Sequence, residues 1–181
     1  LHDDKMGSII MNIAQEITDA FRADKKVLLC GNGGSAADAQ HLAAELSGKY
    51  YFDRPPLFAE ALHVNTSYLT AVANDYSYDD VFSRLTKAKG RPGDVLIGIS
   101  TSGNSTNVIN ALKVAKDIGM ITVGFTGANG SIIQGVCKYT VCVPSEDTPR
   151  IQEAHILIGH IICEIVERDL FGDGKTGGFS G

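Results

Sequence analysis

Twice in this chain a short apolar run ends in a polar loop that opens directly into a helix-forming stretch, and this repeated grammar constrains the fold more than any other feature. The first run, KKVLLCG at residues 25–31, leads into Asn32-Gly33-Gly34-Ser35 and an alanine-rich segment ending at Gly48. The second, DVLIGIS at 94–100, leads into Thr101-Ser102-Gly103-Asn104-Ser105 and then TNVINALKVAKDIG, which closes at Gly119. Apolar runs without alternation belong to strands buried on both faces, as in parallel sheets. Strand–loop–helix units in series bring right-handed crossovers with helices on both sides. The expected class is therefore α/β, a doubly wound, mostly parallel sheet flanked by helices in a three-layer, flavodoxin-like sandwich. In such sheets ligands bind beyond the carboxyl ends of the strands, where both polar loops fall.

The remaining elements follow from periodicity. Ile9, Ile10, Ile13, Ile17 and Phe21 recur near helical spacing, which predicts an amphipathic N-terminal helix over 8–22 that needs a partner surface. MITVGFTG and KYTVCVP read as a third and a fourth strand, with the short segment SIIQGV between them. A largely buried helix is expected from about Arg150 to Leu170. Between residues 51 and 91 the pattern is less regular. Arg54-Pro55-Pro56 breaks structure, and Thr66–Asn74 and Tyr78–Lys89 look helical.

A chain of 181 residues, 44% of them hydrophobic, supports one well-filled core. The net charge of −5 gives no broad cationic field for nucleic acid or an anionic membrane, so an anionic ligand must be held by local donors. No stretch approaches a membrane span of about 20 apolar residues, and the first residues lack a signal-peptide layout. The expectation is a soluble, cytoplasmic protein, read for a sequence that begins at Leu1 rather than Met. Cys30, Cys137, Cys142 and Cys163 sit in apolar contexts without zinc-ribbon or redox spacing and read as buried, reduced packing residues.

The loop Ser100-Thr101-Ser102-Gly103-Asn104-Ser105 offers four hydroxyls and several backbone N–H groups at a helix start, where orphan amides and the helix dipole favour an anion. Phosphate is its natural guest. The competing reading is a plain N-cap by Ser105 with a polar turn before it. The loop Gly31-Asn32-Gly33-Gly34-Ser35 lacks the G-x-G-x-x-G spacing of a dinucleotide site. Its glycines admit close backbone approach and Asn32 is suited to a sugar hydroxyl, but a tight strand-to-helix turn explains it as well.

His41 and Glu45 are four residues apart on the first of these helices and share a face. Gln152 and His160 are eight apart on the last helix, only about 80° apart around it. If the two helices adjoin, two imidazoles, a carboxylate and an amide carbonyl converge, a set that suits a divalent metal such as zinc. From spacing alone ordinary polar or hydrogen-bonded core positions are the commoner outcome, and His63 and His155 are assigned to that second kind.

The blocks GNGGSAADAQHLAAELSGKY, VANDYSYDDVFSR, GDVLIGISTSGNSTNVINAL and RIQEAHILIGHIICEIVE together resemble the phosphoheptose isomerases, from about residue 8 to 170. The resemblance implies the sugar isomerase (SIS) domain fold, divided as an N-terminal helix over 1–25, the SIS domain over 26–171 and a flexible tail over 172–181. It implies an aldose–ketose isomerase that converts D-sedoheptulose 7-phosphate to D-glycero-D-manno-heptose 7-phosphate, the first step towards activated heptose for surface glycans. Carried over by position, Ser100, Thr101, Ser102 and Ser105 bind the phosphate. Asn32, Gly33, Gly34, Asn74 and Asp75 contact the sugar, as do Glu45 and Gln152. One zinc ion per subunit falls to His41, Glu45, Gln152 and His160, and the acid/base pair to Glu45 and His160. Lys49 stands where many relatives have arginine, which keeps the charge and loses the bidentate contact. Members commonly form homotetramers with active sites at subunit boundaries, and Ile9, Ile10, Ile13 and Ile17 are interface positions unless they pack within the monomer. A non-catalytic relative that binds the bacterial replication initiator, and sugar-phosphate-sensing domains, share the fold. The first lacks counterparts of Glu45 and His160, and the second requires a DNA-binding segment.

Overall fold

A computed structural model describes residues 4–128 and 131–172. Its elements are α1 (Asp4–Arg22), β1 (Val27–Gly31), α2 (Gly34–Ser47), β2 (Ala59–Ala61), α3 (Thr66–Asp75), a 3₁₀ turn (Tyr78–Asp80), α4 (Val81–Lys89), β3 (Val95–Ile99), α5 (Thr106–Ile118), β4 (Ile121–Thr126), α6 (Ser131–Val136), β5 (Tyr139–Cys142) and α7 (Thr148–Phe171). The five strands form one parallel sheet in the order β2-β1-β3-β4-β5. The chain leaves β1 for the sheet edge at β2, then returns past β1 to β3, so the order reverses between β1 and β3. Register pairs Gly31 with Ile99, which releases the glycine loop and the serine loop side by side at that switch point.

The two faces of the sheet bury separate clusters. Val27, Leu29, Val95, Ile97, Ile99, Val123 and Phe125 point to the side covered by α1, α2 and α7. Leu28, Cys30 and Leu96 point to the side covered by α3 to α6. The period-two alternation of the pleat makes this division, and apolar residues at both phases make the strands read as continuous hydrophobic runs. Gly119 closes α5 in the left-handed region at φ 89°, as its place after the periodic stretch predicts.

The structure refines the sequence reading at three places. Strand β2 was not anticipated: Ala59-Glu60-Ala61 carries no apolar run, and pairing with β1 makes it a strand. Tyr78–Lys89 divides into a 3₁₀ turn and a helix. Ile10, Ile13 and Ile17 are at most 6% exposed and pack inside the monomer, because α1 lies against α7 in the main core. Of the cysteines, Cys30 and Cys163 are buried, whereas Cys137 and Cys142 are partly exposed. Burial pushes the Cys163 thiol up to about 12. The expected tail lies outside the described residues from 173 onward, and among the described residues no helix is long and apolar enough to cross a membrane.

Helices α2 and α7 pack side by side, and Gly159 sets how closely. A Cβ at that position would lie 2.5 Å from Leu42 Cδ1 and 2.6 Å from Cδ2. Gly159→Val should therefore overpack this contact and lower stability by about 1–3 kcal/mol in urea unfolding. Adding Leu42→Ala should restore part of the loss. Equal unfolding midpoints for Gly159→Val and the parent protein would contradict the packing argument.

Candidate active site

The serine loop begins at the buried end of β3. Ser100 is 3% exposed, and its Oγ lies 2.9 Å from Ser105 Oγ and 3.5 Å from Ser102 Oγ. Gly103, at φ 69°, turns the chain back so that its N–H donates to the Ser100 carbonyl. Ser105 occupies the N-cap position of α5, yet its side chain makes no capping bond. The hydroxyl turns instead towards Ser100, so the plain N-cap reading fails on geometry. Three serine oxygens gather at the start of a 13-residue helix. Thr101 is half-buried, with its carbonyl accepting from Gly127 N–H.

The glycine loop stands alongside. Gly33 has φ 56° and ψ −121°, a conformation that only glycine adopts readily. Gly34 is required by a neighbour, since a Cβ there would reach within 2.9 Å of Gln152 Cδ on α7. Asn32 does not hang free. Its Nδ2 donates to Asn107 Oδ1 at 2.9 Å, and its Oδ1 accepts from Asn107 Nδ2 at 2.9 Å and from Tyr78 Oη at 3.1 Å. Asn107 and Tyr78 were not identified from the sequence. The first looks like an ordinary first-turn residue of α5, and its role depends on the register that sets β1 beside β3.

Further along α2, three side chains converge with α7. His41 Nε2 lies 3.1 Å from Glu45 Oε1 and 3.3 Å from His160 Nε2, and the ligand atoms of all three fall within 4.8 Å of one another. The imidazole rings meet edge to face at 4.9 Å, with Tyr50 5.8 Å from the His160 ring. Ligand atoms about 2.0–2.2 Å from a tetrahedral zinc stand roughly 3.3–3.6 Å apart, so the His41–His160 spacing matches and the nitrogen and oxygen donors of the set suit a divalent metal. Gln152 starts eight residues before His160, about 12 Å earlier on the helix axis, and its amide is packed against Gly34. Asp38, one turn before His41, was also missed. Its Oδ2 is buried without a hydrogen-bond partner, and burial raises its carboxyl above the usual range while the His41 and His160 imidazoles pull it down.

Asn74 and Asp75 end α3, both exposed, with Asn74 Nδ2 donating to Asp75 Oδ1 at 2.8 Å. They precede the 3₁₀ turn that carries Tyr78, and their hydrogen bond is to each other. Lys49 is exposed just beyond α2. His155 is fully buried, with Nε2 3.1 Å from the Thr126 carbonyl, and burial lowers its pKa; it is the hydrogen-bonded core histidine the sequence suggests. His63 is half-buried, its pKa also lowered by burial, and its Nδ1 has no partner.

Comparison with known proteins places this arrangement. The model of the SIS domain family matches residues 4–127. A phosphoheptose isomerase of Clostridium acetobutylicum is 57% identical over 164 residues, 91% of this chain and 84% of that protein. The solved phosphoheptose isomerase of Neisseria gonorrhoeae superposes with a TM-score of 0.83 at 46% identity, over 88% of this chain and 85% of that one. The Francisella tularensis structure of the same name gives a TM-score of 0.86 at 35% identity, over 89% and 86%.

Proposed function

The chain belongs to the phosphoheptose isomerases of the SIS domain family, and from that membership we propose that it interconverts D-sedoheptulose 7-phosphate and D-glycero-D-manno-heptose 7-phosphate. The observation that carries this reading is the convergence of Glu45 and His160 from facing helices, in a fold that carries a hydroxyl-lined loop at the switch point of its sheet. Seven residues of helix, about 10 Å, separate the glycine loop from His41. A phosphate held at one end thus leaves the reacting carbons near the other.

Moving a carbonyl from C2 to C1 removes a proton from C1 and returns one to C2, while another proton passes between the two oxygens of the enediol. Glu45 has two carboxylate oxygens. Oε1 faces His41, and the second takes the carbon-bound proton. His160 carries the oxygen-to-oxygen transfer. Ser100, Thr101, Ser102 and Ser105 hold the phosphate with the N-terminal amides of α5, and Asn32, Gly33, Gly34, Asn74, Asp75 and Gln152 hold the sugar. His41, Glu45 and His160 would hold one zinc ion per subunit, which would polarise the sugar carbonyl, and Gln152, whose amide lies against Gly34, would have to swing along the helices to join them. His41 is half exposed, and Met11 and Leu157 are exposed on the outward faces of α1 and α7. These surfaces suit a homotetramer that closes the site at a subunit boundary, acting in the cytoplasm to supply heptose for surface glycans.

Purified protein mixed with sedoheptulose 7-phosphate should form the aldose, followed by NMR, and unphosphorylated sedoheptulose should be turned over at least about 10²-fold less efficiently. No turnover by folded, metal-replete protein would overturn the assignment. In the same assay Ser100→Ala combined with Ser105→Ala should raise KM about 10- to 100-fold, since hydrogen bonds to a charged group contribute about 1.5–3 kcal/mol. An unchanged KM would move the phosphate elsewhere.

A further inference from the structure

We propose that Asn107 and Tyr78 are positioning residues that lock the Asn32 amide as a hydrogen-bond donor, so that Asn32 meets the sugar only through an oxygen acting as acceptor. The proposal rests on the reading that Asn32 contacts substrate. The backbone N–H of Val108, which can only donate, donates to the Asn107 side chain at 2.9 Å. The atom that receives it must be Oδ1. The other end of the Asn107 amide is therefore Nδ2, and it faces Asn32 as a donor at 2.9 Å.

Asn32 must answer with Oδ1, which places its own Nδ2 against Asn107 Oδ1 at 2.9 Å. Tyr78 Oη then reaches the same Asn32 Oδ1 at 3.1 Å from the 3₁₀ turn. A side-chain carbonyl oxygen has two lone pairs, and here both are engaged. Of the two Nδ2 protons one is committed to Asn107. A single side-chain N–H remains, and it is what the Asn32 amide can offer a ligand.

The arrangement has the features of a built device. Asn107 is 3% exposed, Asn32 is half-buried, and the reciprocal pair joins the loop after β1 to the helix after β3 across the switch point. A buried amide pair of this kind is stable only when each donor finds its acceptor, so a flip of either side chain leaves unpaired groups facing each other. An amide fixed as donor suits a carbonyl oxygen that gains negative charge during enolisation, and it rejects a ligand that presents only a hydroxyl proton at that point.

A double-mutant cycle tests this directly. Asn32→Ala and Asn107→Ala should each lower kcat/KM for sedoheptulose 7-phosphate by about 10- to 100-fold, with the double variant within roughly 3-fold of the worse single one, because Asn107 acts through Asn32. Tyr78→Phe, which removes only the hydroxyl, should cost about 3- to 10-fold with an unchanged Tm. Inhibition by inorganic phosphate should be the same in the parent protein and in Asn107→Ala, as the serine loop is left intact. Losses that multiply in the double variant, or phosphate inhibition that falls in step with turnover, would overturn the proposal. If the parent protein does not isomerise the sugar, the functional reading fails, and the locked amide is judged by NMR alone. The Asn32 side-chain NH₂ signals should then move in both Asn107→Ala and Tyr78→Phe, and signals that stay in place would refute it.

Discussion

Glu45→Gln is expected to lower kcat for sedoheptulose 7-phosphate by about 10²- to 10⁴-fold, the range spanned by a positioned general base. Glutamine keeps the shape of the side chain and can still accept from His41, so the helix pair should be undisturbed and Tm nearly unchanged. What disappears is the oxygen able to take a proton from carbon. The consequence divides the kinetic constants: KM should stay within a few-fold while kcat falls, the pattern of an interaction made only in the transition state. His160→Ala should give a loss of the same order, and because both residues act on one proton inventory the double variant should be little worse than either single one. The check is single-turnover and steady-state kinetics on the three proteins. A Glu45→Gln enzyme that retains more than about a tenth of parental kcat would remove Glu45 from the chemistry.

The largest stability effect is expected at a buried ion pair beneath the site, whose guanidinium also holds the Glu45 carbonyl. Glu167 and Arg54 are each 1% exposed at the side chain, with Arg54 Nε 2.8 Å from Glu167 Oε1. The carboxylate also accepts N–H groups of Tyr50, Tyr51 and Phe52. The guanidinium bonds the carbonyls of Glu45, Leu46, Gly48 and Pro55. One pair thus ties α7 to the end of α2 and to the connection that leads to β2. Removing one partner leaves a buried charge uncompensated, so Glu167→Ala should cost about 3–5 kcal/mol in urea unfolding. That is a large part of the roughly 5–15 kcal/mol by which a domain is stable. The backbone N–H groups and Arg54 hold the Glu167 carboxyl below its ordinary value of 4.5, against the opposing effect of burial. A carboxyl depressed in the folded state stabilises fully above its unfolded pKa and loses that contribution as pH falls through the folded value. Parental stability should therefore decline from about pH 4.5 downward, and the Glu167→Ala profile should be flatter over the same interval. Activity should fall too, because the anchored segment sets Tyr50 beside the His160 ring. A change in stability below about 1 kcal/mol would show that the pair does not hold the loop.

Much of the fold was legible in the sequence because its signals are local. Apolar runs ending in glycine or serine loops, helical spacing of isoleucines and a glycine closing α5 each need only a window of neighbours. The site was legible in part for the same reason, since His41 and Glu45 share a helix face and the serine loop precedes a helix. Features made by long-range pairing were not. Strand β2 exists because β1 recruits three residues that have no strand signal of their own. Asn107 and Asn32 are 75 residues apart and Arg54 and Glu167 are 113 apart, so only the register of β1 with β3 and the packing of α7 on α2 join them. Gly159 reads as a weak point in a helix, whereas in the structure it is what allows Leu42 to approach. The isoleucines of α1 show the converse: their spacing revealed an apolar face, and the identity of its partner, α7, required the fold.

The most direct test of the central claim, a proton-transfer isomerisation run by Glu45 and His160, is to carry out the reaction in D₂O and read the product by NMR and mass spectrometry. Solvent deuterium is expected at C2 of the aldose, delivered by the group that removed the C1 proton, with incorporation lost together with turnover in Glu45→Gln. Full conversion with the original C1 hydrogen retained at C2 and no deuterium taken up, in Glu45→Gln as in the parent protein, would mean that hydrogen moves between the carbons without this base, and would contradict the claim.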